Sequence, residues 1–343
     1  ESVYNAGYNL TRYIAKTYGE DKLEAITRAM GKPLVFTIDA AIEDVLGISG
    51  RDLYAQWRQA LREEYAQRIA PVSEHRVEGR RIANVGFGNF YPRYSPDGKT
   101  LAYTSNKAAD YFGQSSLFLY DLASGTEKPL LPGVRSTLSW SPDGKTIVFS
   151  KYNPPSVQGH LYYDLYKVDV ATGEEMQLTT GLRAYNPAWS PDGSSIAFVY
   201  SKDGTINLGL VQADGSGMRP VTAFTKGEQV MTPSWSPDGK WIIFAFAPRT
   251  HRGLARIRPD GSGLEYVLID GEYDCRDPRY SSDGKHVLYA SNRTGIFNIY
   301  RLKLADGTSE QLTNVLGGAF MPDLNADGTL AYALYTAGGY KIA

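Results

Sequence analysis

"WSPDGKTIVFSK", residues 140–151, holds a turn and a strand, and close copies of it recur along the chain. They are "YSPDGKTLAYTS" at 94–105, "WSPDGSSIAFVY" at 189–200 and "WSPDGKWIIFAF" at 235–246, with the looser "YSSDGKHVLYAS" at 280–291 and "LNADGTLAYALY" at 324–335. Pro pre-sets φ at the first turn position, Asp can hydrogen-bond its own backbone, and Gly takes the positive φ that a tight hairpin demands. The apolar run after the turn is short and rich in Ile, Val, Phe and Tyr, as a buried strand requires. The motif therefore predicts hairpins and not catalysis, since a catalytic Asp here would have to repeat the same chemistry in every copy.

The copies are evenly spaced. Their aspartates, Asp97, Asp143, Asp192, Asp238, Asp283 and Asp327, lie 46, 49, 46, 45 and 44 residues apart. A period near 45 with strand-type chemistry is that of a propeller blade, whereas helical repeats of this length would space their apolar residues by three and four. Six anchors predict six blades. The last copy supplies only three strands, while residues 79–84 align with the outer strand of the second copy and have no blade of their own. That segment is expected to complete the sixth blade and close the ring, which removes exposed sheet edges. The reading is a mainly β chain: a six-bladed β-propeller over 71–343, closed by an N-terminal outer strand, with a small all-α extension over 1–70.

Composition narrows the function classes. Over 343 residues the formal charge is −1, and the first 70 carry 9 Lys and Arg against 10 Asp and Glu. With no basic stripe, nucleic acid is not an expected partner. The single cysteine, Cys275, rules out an internal disulfide and a cysteine-based metal cage. No apolar run approaches the roughly 18 residues of a membrane span. The chain opens at Glu1 inside a helical pattern and stops at Ala343 on a strand pattern, as a fragment would, so targeting sequence is expected upstream. A neutral closed ring fits a monomer.

The first 70 residues carry helix punctuation instead of repeats. One helix is expected to end at Gly19 and a second at Gly31. A third should be capped by Ser49 with Asp52 three residues on, present Leu53, Trp57, Leu61 and Tyr65 at fourfold spacing, and stop before Pro71.

Two resemblances follow from these motifs. Ser-Pro-Asp-Gly before an apolar strand, with "SNRTGIFNIYRL" and "ADGTSEQLT", is similar to the repeat of TolB-like propellers, seen also in tricorn and prolyl-oligopeptidase relatives. It covers about four fifths of the chain. It implies a bacterial, envelope-facing binding module, periplasmic or outer-membrane-associated, that meets a protein or peptide at one mouth of its channel. The stretch "GYNLTRYIAKTYGEDKLEAI", followed by "FTIDAAIEDVLGISGRDLYAQWRQAL", resembles the C-terminal helices of peptidase MA-like (gluzincin) metallopeptidases, through Tyr18-Gly19, Leu46-Gly47 and Trp57. Zinc catalysis in that family needs two histidines one turn apart with a glutamate between them. Here His75, His160, His251 and His286 stand apart and no HExxH occurs, so no zinc ligand or catalytic residue carries over. Zinc belongs at most to a longer native chain, and no cofactor is expected in this one. There is likewise no Gly-x-Ser-x-Gly elbow and no phosphate-binding or dinucleotide fingerprint.

Blade geometry then says where a partner would bind. One residue at the start of each inner strand should face the channel mouth: Tyr91, Thr137, Asn186, Thr232, Asp277 and Met321, flanked by Arg135, Tyr185, Asp274 and Arg276. The variable loops 105–114, 151–160 and 247–253 open on the same face, opposite the Ser-Pro-Asp-Gly hairpins, and bring Tyr111, Phe112, Tyr152, Arg249, His251 and Arg252. Aromatic and cationic side chains of this kind anchor interfaces well. Mixed polarity suits a peptide or a loop better than a metal, and a water-filled channel is the plainer reading. In a third reading the channel holds a small ligand or ion and does chemistry.

Overall fold

A computed structural model describes residues 2–343 except 108, 112, 155–158 and 270. The chain divides into two units, Glu1–His75 and Arg76–Ala343.

The first unit has four helices: α1 (Ser2–Tyr18), α2 (Asp21–Ala29), α3 (Ile38–Leu46) and α4 (Gly50–Glu74). Gly19 (φ 110°) closes α1, Thr37 and Ser49 cap α3 and α4 by accepting the N–H of Ala40 and Asp52, and Gly47 (φ 72°) ends α3. Ile14, Ile26, Ala29, Ala41, Ile42 and Leu53 form its core. Two expectations fail. Met30 closes α2 in right-handed conformation, so Gly31 is not the left-handed glycine expected there. Helix α4 runs through Pro71 to Glu74 instead of stopping before it. Pro71 removes one ladder bond. Residues 62–71 are exposed to solvent, where the freed carbonyl can be hydrated, and of the fourfold stripe only Leu53 and Trp57 are buried.

In the second unit each Ser-Pro-Asp-Gly copy starts an antiparallel meander. Four-stranded sheets cover 89–132, 139–177 and 275–311, a three-stranded sheet covers 319–342, and the third and fourth copies share one eight-stranded sheet over 184–268. A single parallel pair, Ile206↔Gln229, joins its halves.

The turn explains the motif. In the second copy Gly144 N–H donates to Ser141 O (2.9 Å) with Gly144 at φ 70°. Ser141 Oγ donates to Asp143 Oδ1 (2.6 Å) and accepts from Thr146 N–H (3.0 Å), while Asp143 Oδ1 also accepts from Lys145 N–H (3.1 Å). Serine is thus the hub that ties the aspartate to the returning strand. Copies at Ser95, Ser190, Ser236 and Ser281 repeat the arrangement. These serine hydroxyls are the main reason that Asp97, Asp143, Asp192, Asp238 and Asp283 lie below the ordinary carboxylate range. A depressed pKa contributes stability above the unfolded value near 3.9, which is lost as pH falls through the folded one. Ser236→Ala is therefore expected to cost about 1 kcal/mol in urea unfolding at pH 7, a difference that shrinks once Asp238 protonates.

Successive turns nest. A side chain placed at Gly144, Gly193, Gly239 or Gly284 would start 3.5–3.6 Å from Pro96, Pro142, Pro191 or Pro237, the proline of the copy before, and at Gly98 it would meet Asn325 of the last copy. The core follows the same order. Leu117 and Leu119 pack with Ile147 and Phe149, Val148 and Leu165 with Ile196 and Phe198, Leu208 and Leu210 with Ile242 and Phe244. Ile243 and Leu254 then pack with Val287 and Tyr289, Ala290 and Ile299 with Tyr332 and Leu334, and Leu101 and Tyr103 with Ala331, Ile342 and Ala83. Apolar burial between sheets is what holds this unit together.

Residues 79–84 do not form the expected outer strand. They meet the last sheet through an isolated bridge, Ala83↔Ile342, and through Gly79 N–H donating to Tyr332 OH (2.8 Å). Gly79, Arg80 and Arg81 offer no apolar alternation to extend the ladder.

Candidate functional site

The first strand of each repeat carries the site. In five of them the residue before proline has positive φ: Tyr91 (55°), Asn186 (52°), Thr232 (47°), Asp277 (55°) and Met321 (55°). Positive φ is costly for residues with a Cβ, most of all for β-branched Thr. At each one the strand register shifts, as between Phe90 and Arg93. The bulge turns the residue out of the ladder. Five of the six residues expected at the mouth thus share one strained geometry. Thr137 does not: it is followed by Leu138 in place of proline, lies buried, and precedes a strand of two residues, Ser139–Trp140.

Asp277, Met321 and Tyr91 come together. Asp277 Oδ2 accepts from Met321 N–H (3.2 Å), and its carboxyl is pushed up by burial, against the nearby charges of Arg276 and Arg93. Burial, with the Asp277 charge adding to it, raises the Tyr91 hydroxyl to about 12. A raised carboxyl contributes stability below the unfolded value that is lost as pH rises through the folded one. Asp277→Asn keeps an acceptor for Met321 and tolerates positive φ, so it is expected to raise Tm by a few degrees at pH 7 and by nothing at pH 3.

The flanking residues are placed as follows. Asp274 Oδ2 accepts from both Arg252 and Arg276 (2.9 Å each). Although burial pushes the Asp274 carboxyl up, these partners and Arg252 N–H hold it below its ordinary value. Arg276 lies 4.3 Å from the Phe297 ring and 5.9 Å from that of Phe320. Arg135 lies 5.4 Å from the Tyr152 ring, which stacks on Tyr163 at 4.0 Å. Tyr185 is half-buried, its hydroxyl raised to about 12 by burial. Tyr111, Arg249 and His251 are exposed on their loops, and Phe112 lies outside the described residues.

Sequence reasoning missed the floor of the site. Arg93, Arg279 and Asp323, all one step before the aromatic or Leu that precedes each turn, meet from three repeats. Asp323 accepts Arg279 Nε–H (2.8 Å) through Oδ1 and Tyr94 N–H (2.7 Å) through Oδ2. Ser139 does the same for Trp189 N–H (3.0 Å), so the contact between the last and first repeats copies that between the second and third. It also missed the aromatic wall, in which Phe320 lies 4.9 Å from Phe297 and 5.9 Å from Tyr340, and Phe90 4.9 Å from Tyr340. Toward the turns, a cavity of about 410 Å³ is lined by Tyr94, Trp140, Trp189, Trp235, Tyr280 and Leu324, one from each repeat. Among the described residues no three His, Cys, Asp or Glu side chains group so as to hold a metal ion, and no helix is long and apolar enough to cross a membrane.

Comparison with known proteins agrees with this architecture. The chain is 32% identical over 136 residues to an uncharacterised protein of Agrobacterium fabrum, covering 39% of this chain and 43% of that one. It is 31% identical over 146 residues to the uncharacterised peptidase YuxL of Bacillus subtilis (31% and 21%), and 27% identical over 240 residues to the Tol-Pal system protein TolB of Francisella tularensis (68% and 50%). The chain thus spans half or less of the length of these relatives. The crystal structure of TolB from Acinetobacter baumannii superposes with a TM-score of 0.58 at 20% identity, over 68% of this chain and 56% of that one. The family described as TolB beta propeller domain matches residues 64–278. That match spans more than half of the sequence, and the protein is a member of the TolB beta propeller domain family.

Proposed function

We propose that this chain is a non-catalytic protein- or peptide-binding module of the bacterial cell envelope, acting as a closed six-bladed propeller that grips its partner at the mouth around Tyr91, Asp277 and Met321. Nested turns from the first copy to the fifth, with Gly98 of the first copy meeting Asn325 of the sixth, support the closed ring. The observation that supports this reading is the set of first-strand residues in a costly backbone conformation, flanked by Arg135 and Arg276, each set against an aromatic ring. Strain of this kind persists where surrounding structure over-determines it, and functional sites are where it collects. Arg and aromatic anchors in a concave setting are the residues that dominate interfaces. The likeness to a Tol-Pal system protein supports the envelope setting.

A photo-crosslinking residue at position 91 or 276, followed by mass spectrometry, tests this. One protein should be captured from both positions and not from position 301, which lies on an exposed ion pair of an outer face. Equal capture at all three would sink the proposal. A second reading is favoured by the match to a peptidase and by the helices over 1–70: the native protein is a longer zinc metallopeptidase whose propeller positions or restricts substrate. An intact native mass well above 37.8 kDa with about one zinc per chain would establish it.

A further inference from the structure

Charge at the mouth does not balance. Arg93, Arg252, Arg276 and Arg279, with Arg135 on a neighbouring repeat, face three carboxylates, Asp274, Asp277 and Asp323, which leaves positive charge in excess. Asp274 is taken by Arg252 and Arg276, and Asp323 by Arg279. Arg93 is left. It is 6% exposed, its Nη1 donates only to the main-chain carbonyls of Pro92 (2.7 Å) and Pro322 (3.3 Å), and its Nε has no partner. Among the described residues no carboxylate lies within ion-pair distance of it. Burying a guanidinium with no carboxylate paired to it is expensive: burial first, and Arg279 alongside, lower the Arg93 pKa to about 10, although the charges of Asp323 and Asp277 act the other way.

Further orphans hold comparable positions in other repeats. Arg276 Nε and the hydroxyls of Thr137 and Thr232 are buried without partners, and all belong to the starts of first strands. Buried donors in want of an acceptor call for water or an anion. Beside Arg276 stands the aromatic wall: its guanidinium lies 5.9 Å from the Phe320 ring, which adjoins Tyr340 and, through it, Phe90. An anion that carried an apolar group would satisfy both at once.

Resting on the interaction reading above, we infer that the mouth is a carboxylate receptor, in which Arg93 and Arg276 take a carboxylate of the bound peptide while the adjoining side chain lies against Phe90, Phe320 and Tyr340. Guanidinium forks match a carboxylate in geometry as well as charge.

Calorimetric titration with three small probes tests this on the whole chain. The probes are N-acetylphenylalanine, its C-terminal amide, and the α-amide of N-acetylglutamate, whose only carboxylate is on the side chain. Binding of one acid at least tenfold tighter than the phenylalaninamide is expected, and the acid that binds tells a chain terminus from an acidic side chain. That binding should be lost in Arg93→Met and weakened at least fivefold in Arg276→Met, a half-buried position that tolerates change if the first variant does not fold. Arg301→Met should bind as the wild type does. Equal binding of acids and amide, or wild-type affinity in Arg276→Met, overturns the receptor. If cross-linking at 91 and 276 still captures one partner, the interaction reading stands without it.

Discussion

Asp323→Ala is expected to lower stability by about 3–5 kcal/mol and Tm by roughly 10 °C. The side chain is 4% exposed, and it answers two donors at once, Arg279 Nε–H and Tyr94 N–H. Its removal leaves a guanidinium without a counter-charge and a backbone N–H without an acceptor at the contact between the last and first repeats. The size of the loss should come from the abandoned charge more than from the lost bonds. Adding Arg279→Met to Asp323→Ala is therefore expected to recover about half of it in thermal unfolding. A double variant no better than the single one would mean that the Tyr94 bond carries the contact.

Phe244→Ala should cost about 3–5 kcal/mol by a different route. Phe244 is fully buried between Leu208, Leu210 and Ala255, in the core that joins the third and fourth repeats, with the Phe246 ring edge-on at 6.2 Å. Truncation opens a cavity that rigid sheets on both sides cannot close. In urea the midpoint should fall with an unchanged slope, and guests such as benzene should restore part of the loss.

The two variants divide along the line between what the residues announce and what they conceal. Phe244 is legible: it sits five residues past a Ser-Pro-Asp-Gly glycine, in a run that reads as a buried strand. So is the position of the positive-φ residues, each of which precedes a proline at a fixed distance before the turn. Asp323 is not. Together with Arg93 and Arg279 it occupies a position filled elsewhere by Ser139, Ala188 and Ser234, so nothing local marks it. Its meaning arises only where three distant repeats meet. The helix through Pro71 and the outer segment at 79–84 escaped for the opposite reason, since solvent on an exposed helix and a weak apolar pattern overrode signals that were locally clear.

The bond from Tyr94 to Asp323 spans 229 positions, and that from Gly79 to Tyr332 spans 253. Closing such loops costs little more than closing short ones, because the entropy grows only with the logarithm of length. Time is the real expense. At some 5–20 residues per second of synthesis, roughly 10–45 s pass between the emergence of residue 94 and that of residue 323. Throughout that interval Leu101 and Tyr103 wait without the partners they will have in Ala331 and Ile342. The nascent chain is most vulnerable to sticking and swapping just before its last repeat leaves the ribosome, and a stall there would be more damaging than one anywhere earlier.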